Sequence, residues 1–240
     1  MQVVLLAAGL GSRLGSLTER LPKALIEVAG ATLLERAVGF ARRLSPAEII
    51  VVGGFGFADV ARHVQQRALP VTLVENTAFR DGNLVSLMAA RPRLDGGFWL
   101  MNVDHIYRPA IAARVAVVAS EVTAYIDTDR TLGADDMKVA RDEAGRVRGI
   151  AKTLTTFDCG YVGMTQVPAD ARERYWATTD AALAEEGRAI HVERVLARLA
   201  ASEHPPACAD ISGVGWLEVD LQDERNHAET IVRGAPGDWV

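Results

Sequence analysis

With 240 residues, 49% of them apolar, and a net charge of -5, the chain can bury a sizeable core, which excludes intrinsic disorder. The acidic balance removes nucleic acid as the main partner and leaves a small charged ligand as the better fit. Two cysteines, Cys159 and Cys208, show neither metal spacing nor a disulfide framework, which suits a reducing cytoplasm and argues against structural zinc.

The opening MQVVLLAAG has no positive charge before its short apolar run, so it reads as a strand and not as a signal peptide. Strand-like and helix-like segments then alternate: LLERAVGFARRL, EIIVVGG, FADVARHVQQRA, VTLVEN, NLVSLMAARPRL, GFWLMNVD, PAIAARVAVVAS and VTAYIDT. That alternation predicts a mostly parallel sheet covered by helices on both faces, with ligands outside the carboxyl ends of the strands. Beyond residue 128 the rhythm changes. MKVARDEAGRVRGIAK predicts two strands around an acidic turn, FDCGYVGM another strand, and RERYWATTDAALAEEG and IHVERVLARLAA two helices. GWLEVDL and DERNHAETIVRG add a strand and a helix. The expected architecture is α/β, Rossmann-like, with a mixed, mostly parallel sheet and a small antiparallel lobe. No linker separates residues 1–128 from 129–240, so both belong to one expected domain. The longest later apolar run is broken by Arg114 and Glu121, so no membrane insertion is expected.

Four groups of residues carry chemistry. Gly9 and Gly11 sit where the first strand must turn, and a glycine turn exposes backbone N–H groups to a phosphate. Arg13 adds a planar fork of donors and Lys23, stiffened by Pro22, a compact point charge. A dinucleotide fingerprint is approximated by Gly9, Gly11 and Gly15, but Leu14 stands where its third glycine belongs. Asp104 ends an apolar run and fits a first ligand for Mg²⁺, the partner of a nucleoside triphosphate, or a plain helix cap. Glu218 and Asp220 alternate along one strand, which predicts one shared face and a cation between them if Asp104 is near. Gly82, Asn83 and Ser86 open a helix where polar groups read a base or ribose, or where Asn83 simply caps. His105 reads as structural.

Together LAAGLGSRL and PKAL resemble the sugar-nucleotidyltransferase pattern, which DHIY, FDCGY and WLEVDLQD extend over nearly the whole chain. GNLVSLMAA and VDHIY resemble the inositol-1-phosphate cytidylyltransferases, and WLEVD the phosphocholine and aminoethylphosphonate branch. Val103 departs from the glycine usual before the metal aspartate, and Ser16 from a frequent proline.

The resemblance implies a nucleotide-binding half over 1–128 and an acceptor-binding half over 129–240. It implies nucleotide contacts from Leu6, Ala7, Ala8, Gly9, Gly11, Ser12, Arg13, Lys23, Gly82, Asn83 and Ser86, and Mg²⁺ held by Asp104 with Glu218 or Asp220. Lys152 would take the acceptor's phosphate and Asp158 its hydroxyl or amine. The implied reaction moves CMP from CTP to a phosphorylated polyol or amino-alcohol, inositol 1-phosphate first, with release of pyrophosphate. Arg13 and Lys23 would be its catalytic residues. Two alternatives stay open: a guanylyl-, uridylyl- or thymidylyltransferase for a sugar 1-phosphate, and a nucleotide-sensing relative without turnover.

Overall fold

The computed structural model describes residues 1–18 and 21–239, leaving out Glu19, Arg20, Val240 and the side chains of Ser16 and Leu17. The chain opens with strand β1 (Gln2–Ala7), passes through 3-10 turns at Ser12–Thr18 and Lys23–Leu25, and forms a small hairpin of β2 (Glu27–Val28) and β3 (Ala31–Thr32). Helix α1 (Leu33–Arg42) starts at a reciprocal cap. The Glu35 N–H donates to Thr32 Oγ1 at 3.1 Å, and the Thr32 N–H donates to the Glu35 carboxylate at 2.8 Å. β4 (Ile49–Gly53), α2 (Phe57–Gln66), β5 (Thr72–Glu75), α3 (Asn83–Ala90) and β6 (Phe98–Asn102) continue the alternation. β7 (His105–Tyr107), α4 (Pro109–Val115) and β8 (Thr123–Asp127) follow. The remainder holds β9 (Lys138–Arg141), β10 (Val147–Ala151), β11 (Cys159–Val167), α5 (Arg172–Glu186), α6 (Glu193–Ala200), β12 (Ala207–Asp210), β13 (Trp216–Glu218) and α7 (Gln222–Gly234).

The central sheet runs β10-β9-β11-β6-β1-β4-β5, with β8 on β11 and β12 on β8. β6, β1, β4 and β5 are parallel, as the alternation predicts. Both faces of β1 are covered, which is why QVVLLA is a continuous, fully buried run. Its side chains split by parity. Val3 and Leu5 join a layer with Phe40 of α1 and Ile111 of α4, while Val4 and Leu6 join one with Leu84 of α3 and Tyr175 of α5. A third apolar cluster packs Leu14, Ile26 and Leu33 against Val219 and the α7 residues Ala228 and Val232. It brings the end of β13 over the glycine loop.

The sequence reading differs from the structure in the placement of β8. The nine residues of β11 are all buried, and β11 takes the free edge of β6 in antiparallel pairing. β8 therefore pairs antiparallel with β11 and parallel with β12 instead of extending the parallel run. β12, with the sequence ACAD, carries no strand pattern of its own and is held as an edge beside β8. β11 pairs with β6 through Met164–Val167 and with β9 through Cys159 and Gly160. Between the two pairings the Tyr161 N–H donates to the Met137 carbonyl at 2.8 Å, and the register of β11 against β8 shifts between Tyr161 and Thr165.

Cys159 and Cys208 are both free thiols. Burial pushes Cys159 up to about 11 and Cys208 up to about 12, and the thiolate is the reactive form. Alkylation by iodoacetamide at pH 8 is expected to run more than about tenfold slower on the folded protein than in denaturant. Equal rates would show that these positions are open to solvent.

Candidate active site

In β1, Leu6 pairs with Asn102 of β6 and Ala7 with Gly53 of β4. The carboxyl ends of three parallel strands thus stop at one level, where the open-sheet rule places a ligand. A cleft of about 380 Å³ lies there. From β1 and the following loop it takes Leu6, Ala7, Ala8, Gly9, Gly11, Ser12 and Arg13. Lys23, Asn83, Ser86 and Asp104 complete the side belonging to the first half, and Lys152, Glu218 and Asp220 face them from the second.

The glycine loop is held by its own backbone. Gly11 has φ +64°, and its carbonyl accepts from the Leu14 N–H at 2.9 Å and from Thr18 Oγ1 at 2.7 Å. A Cβ on Gly11 would stand 2.9 Å from Thr18 Cγ2 and 3.0 Å from Lys23 Cβ. Gly11→Ala is therefore expected to cost about 1–3 kcal/mol of stability, read as a lowered urea midpoint with unchanged slope. A stability loss below about 0.3 kcal/mol would show that the loop adapts freely.

At the centre is a buried charge cluster. Lys23, 7% exposed, donates through Nζ to Asp104 Oδ2 at 2.5 Å and to Asp220 Oδ1. Arg13 reaches Asp220 Oδ2 at 2.6 Å. His105 Nδ1 lies 2.7 Å from Asp104 Oδ1. Burial opposes the charge on Lys23, but Asp104 and Asp220 outweigh it and raise its pKa. Burial likewise opposes the Asp104 carboxylate, and Lys23 with His105 holds it well below the usual carboxylate range. Lys23 and Arg13 bind the carboxylates of one small cluster.

Two hard oxygens, one from Asp104 and one from Asp220, converge on a single cationic nitrogen. That donor set and convergence suit a small divalent cation with oxygen ligands. Glu218 is oriented differently. Its carboxylate is 3.3 Å from Arg130 Nη1 and 4.0 Å from His105 Nε2, and burial raises its pKa, with Asp104 and Asp220 adding to the rise. Among the described residues, no three His, Cys, Asp or Glu side chains form a metal cluster. The pair Asp104 and Asp220 is thus the better placed.

Other expected residues have different surroundings. Asn83 Oδ1 accepts from the Val192 N–H at 2.8 Å, and Asn76 Nδ2 donates to Ser86 Oγ at 2.9 Å. Gly82 does not line the cleft. Its N–H donates to the Arg188 carbonyl at 2.9 Å, and a Cβ there would stand 1.8 Å from the Ile190 carbonyl oxygen. Gly82 and Asn83 therefore dock the segment 188–192. Asp158 is exposed and lies outside the cleft lining, with its Oδ2 accepting the Arg141 N–H at 2.6 Å. Lys152 remains in the lining, and its carbonyl accepts from buried Lys138 Nζ at 2.8 Å. Val103 is buried and donates its N–H to the Leu6 carbonyl at 3.2 Å, so an apolar side chain has a place before Asp104.

Three cleft residues escaped the sequence reading. His105, expected to be structural, stacks on Trp216 with ring centroids 5.1 Å apart and sits between Asp104 and Glu218. His191 and Glu193 also line the cleft. Their only local signal was position, immediately before and at the start of α6, and that becomes visible only when Asn83 is seen to hold Val192.

The glycine loop, the strand-end carboxylate and the cationic pair define a nucleotidyltransferase fold, and the comparisons agree. The chain belongs to the family of the MobA-like NTP transferase domain, whose profile matches residues 3–213. It is 35% identical, over 95% of its length and 51% of the relative's, to a bifunctional IPC transferase and DIPP synthase of Rubrobacter xylanophilus. It is 28% identical, over 95% of its length and 38% of the relative's, to a CMP-5'-(3-aminopropyl)phosphonate synthase of Streptomyces rubellomurinus. The chain spans about half or less of these curated relatives. Its fold matches that of an inositol-1-phosphate CTP transferase from T. maritima with a TM-score of 0.81, at 18% identity over 97% of this chain and 96% of that one.

Proposed function

We propose that this protein is a cytoplasmic, Mg²⁺-dependent cytidylyltransferase that transfers CMP from CTP to a phosphorylated polyol, inositol 1-phosphate first, and releases pyrophosphate. The observation that carries this reading is the convergence of Lys23, Arg13, Asp104 and Asp220 beside a glycine loop at the carboxyl ends of β1 and β6. A relative named as a CMP-5'-(3-aminopropyl)phosphonate synthase supports CMP as the transferred group, and one named as a bifunctional IPC transferase and DIPP synthase supports a transferase reading. Among the described residues no helix is long and apolar enough to cross a membrane.

The glycine loop would receive the triphosphate on its backbone N–H groups. Asp104 and Asp220 would hold Mg²⁺. When bound, the metal supplies charge neutralisation at phosphoryl oxygens and orients them. Relieved of the carboxylates, Arg13 would turn to the leaving pyrophosphate and Lys23 to the reacting phosphates. Lys152 would take the acceptor's phosphate. A phosphate monoester is largely dianionic at neutral pH, so its oxygen can attack the α-phosphorus without a catalytic base. Positioning and charge neutralisation then account for the catalysis.

The test is pyrophosphate release with Mg²⁺, each of the four ribonucleoside triphosphates and dTTP, and a panel of inositol 1-phosphate, phosphocholine, aminoethylphosphonate and hexose 1-phosphates. Release with CTP and inositol 1-phosphate is the expected result. Release confined to another nucleotide with a hexose 1-phosphate would move the protein to the sugar branch. CTP binding without release would favour a sensor.

A further inference from the structure

We infer that Glu193 is the residue that reads the acceptor's hydroxyl groups, which makes the acceptor a polyhydroxylated phosphate and not a quaternary or primary ammonium compound. This rests on the reading of the cleft as a nucleotidyltransferase site and assigns a selection that reading leaves open.

Glu193 is a buried carboxyl group with an unmet capacity for hydrogen bonds. It is 9% exposed and lines the cleft, and its hydrogen bond among the described residues is to its own backbone N–H. No ion pair to it is found among the described residues, although Lys152 and His191 share the cleft wall. A carboxyl group in such a place is costly unless a ligand completes it. Burial pushes its pKa up, against the pull of its own N–H, His191 and Lys152, and its oxygens can accept from a hydroxyl in either charge state.

Its position is also fixed. Asn83 of α3 accepts the Val192 N–H, and Gly82 leaves room for the Ile190 carbonyl. The start of α6 is thereby tied to the helix that opens beside the nucleotide loop. The Glu193 carboxyl is presented by rigid elements on both sides, as a selective contact requires.

Against a cationic acceptor stand the bases nearest Glu193 and the covered aromatic faces, while Asp104, Asp127, Glu218 and Asp220 also line the cleft. The charged neighbours that act on Glu193 are His191, Lys152 and His105, all bases. A quaternary ammonium group needs an open aromatic face. The Trp216 ring is already covered by His105 at 5.1 Å and by the Arg130 guanidinium at 4.7 Å. Tyr161 is buried, with its hydroxyl 2.8 Å from Thr165 Oγ1. Phe79 carries the Arg80 guanidinium at 5.3 Å. Neutral hydroxyls, by contrast, find a carboxyl group and an imidazole within one wall.

The experiment measures acceptor binding by calorimetry and CMP transfer by initial rates, for the wild type, Glu193→Gln and Glu193→Ala. Inositol 1-phosphate, a monodeoxy-inositol 1-phosphate series and phosphocholine are the acceptors, and thermal melting checks folding. Glu193→Ala is expected to weaken inositol 1-phosphate binding and raise its KM by about tenfold or more, with the KM for CTP within about twofold. Glu193→Gln, which keeps a donor and an acceptor, should recover most of the loss. One deoxy position should weaken wild-type binding and leave Glu193→Ala unaffected, the signature of a direct pair. Preference of the wild type for phosphocholine or an amine, or equal losses for every acceptor, would overturn the inference while leaving the cytidylyl-transfer reading intact. Glu193-dependent binding of polyol phosphates without any transfer from CTP would do the reverse.

Discussion

Asp104→Ala is expected to lower kcat by about 10³-fold, because a bound cation at a phosphoryl-transfer site supplies several kcal/mol of charge stabilisation and Asp104 is its first ligand in the proposed site. Steady-state assays over a wide range of Mg²⁺ check this. Full recovery at modest excess metal would reduce Asp104 to a peripheral contact. The same substitution has a separable effect on stability. The Asp104 pKa is depressed by Lys23 and His105 against the cost of burial, so its ionised form contributes stability above the unfolded carboxyl value of about 3.9. That contribution is lost as pH falls below this value toward the folded one. Acid melts should therefore show the wild type losing stability below about pH 4, and the loss should be smaller in Asp104→Ala, where this linkage is gone. Identical acid slopes would show that the pair contributes nothing to folding.

The site was legible where it is written in contiguous residues. Glycines after an apolar strand and cations spaced behind them describe one loop, and the loop folds as that description requires: the cleft takes Gly9, Gly11, Arg13 and Lys23 from it. Asp104 was legible for the same reason, at the end of a strand whose apolar run is continuous. What escaped depends on contacts between distant segments. Asp158 looked like an acceptor ligand, yet its carboxylate meets the Arg141 N–H, a contact set by the β9 and β11 register. Glu193 stands at a helix start like many acidic residues, and contacts such as the bond from Val192 to Asn83, 109 positions away, tie its segment to α3. The fold shows the same division. The parallel strands follow from local pattern, whereas β8 is placed by competition with β11 for the edge of β6, which no local window contains.

Lys23→Ala is expected to reduce kcat by roughly 10²- to 10³-fold, about 3–4 kcal/mol, the usual loss for a preorganised group that stabilises developing charge. Lys23 is both a buried cation and the counterion of Asp104 and Asp220, so a fall in activity alone would not separate a catalytic role from a structural one. The metal dependence does. In the free protein Lys23 occupies the oxygens proposed to bind Mg²⁺, and removing it eliminates an internal competitor. Apparent Mg²⁺ affinity should then rise while kcat falls, a combination that simple loss of structure cannot produce. Lys23→Arg should not restore activity, because a planar guanidinium in a position only 7% exposed cannot replace a compact ammonium without displacing the glycine loop. A kcat reduced by less than tenfold, or Mg²⁺ affinity falling together with kcat, would assign Lys23 to holding the carboxylates in place and leave the phosphates to Arg13.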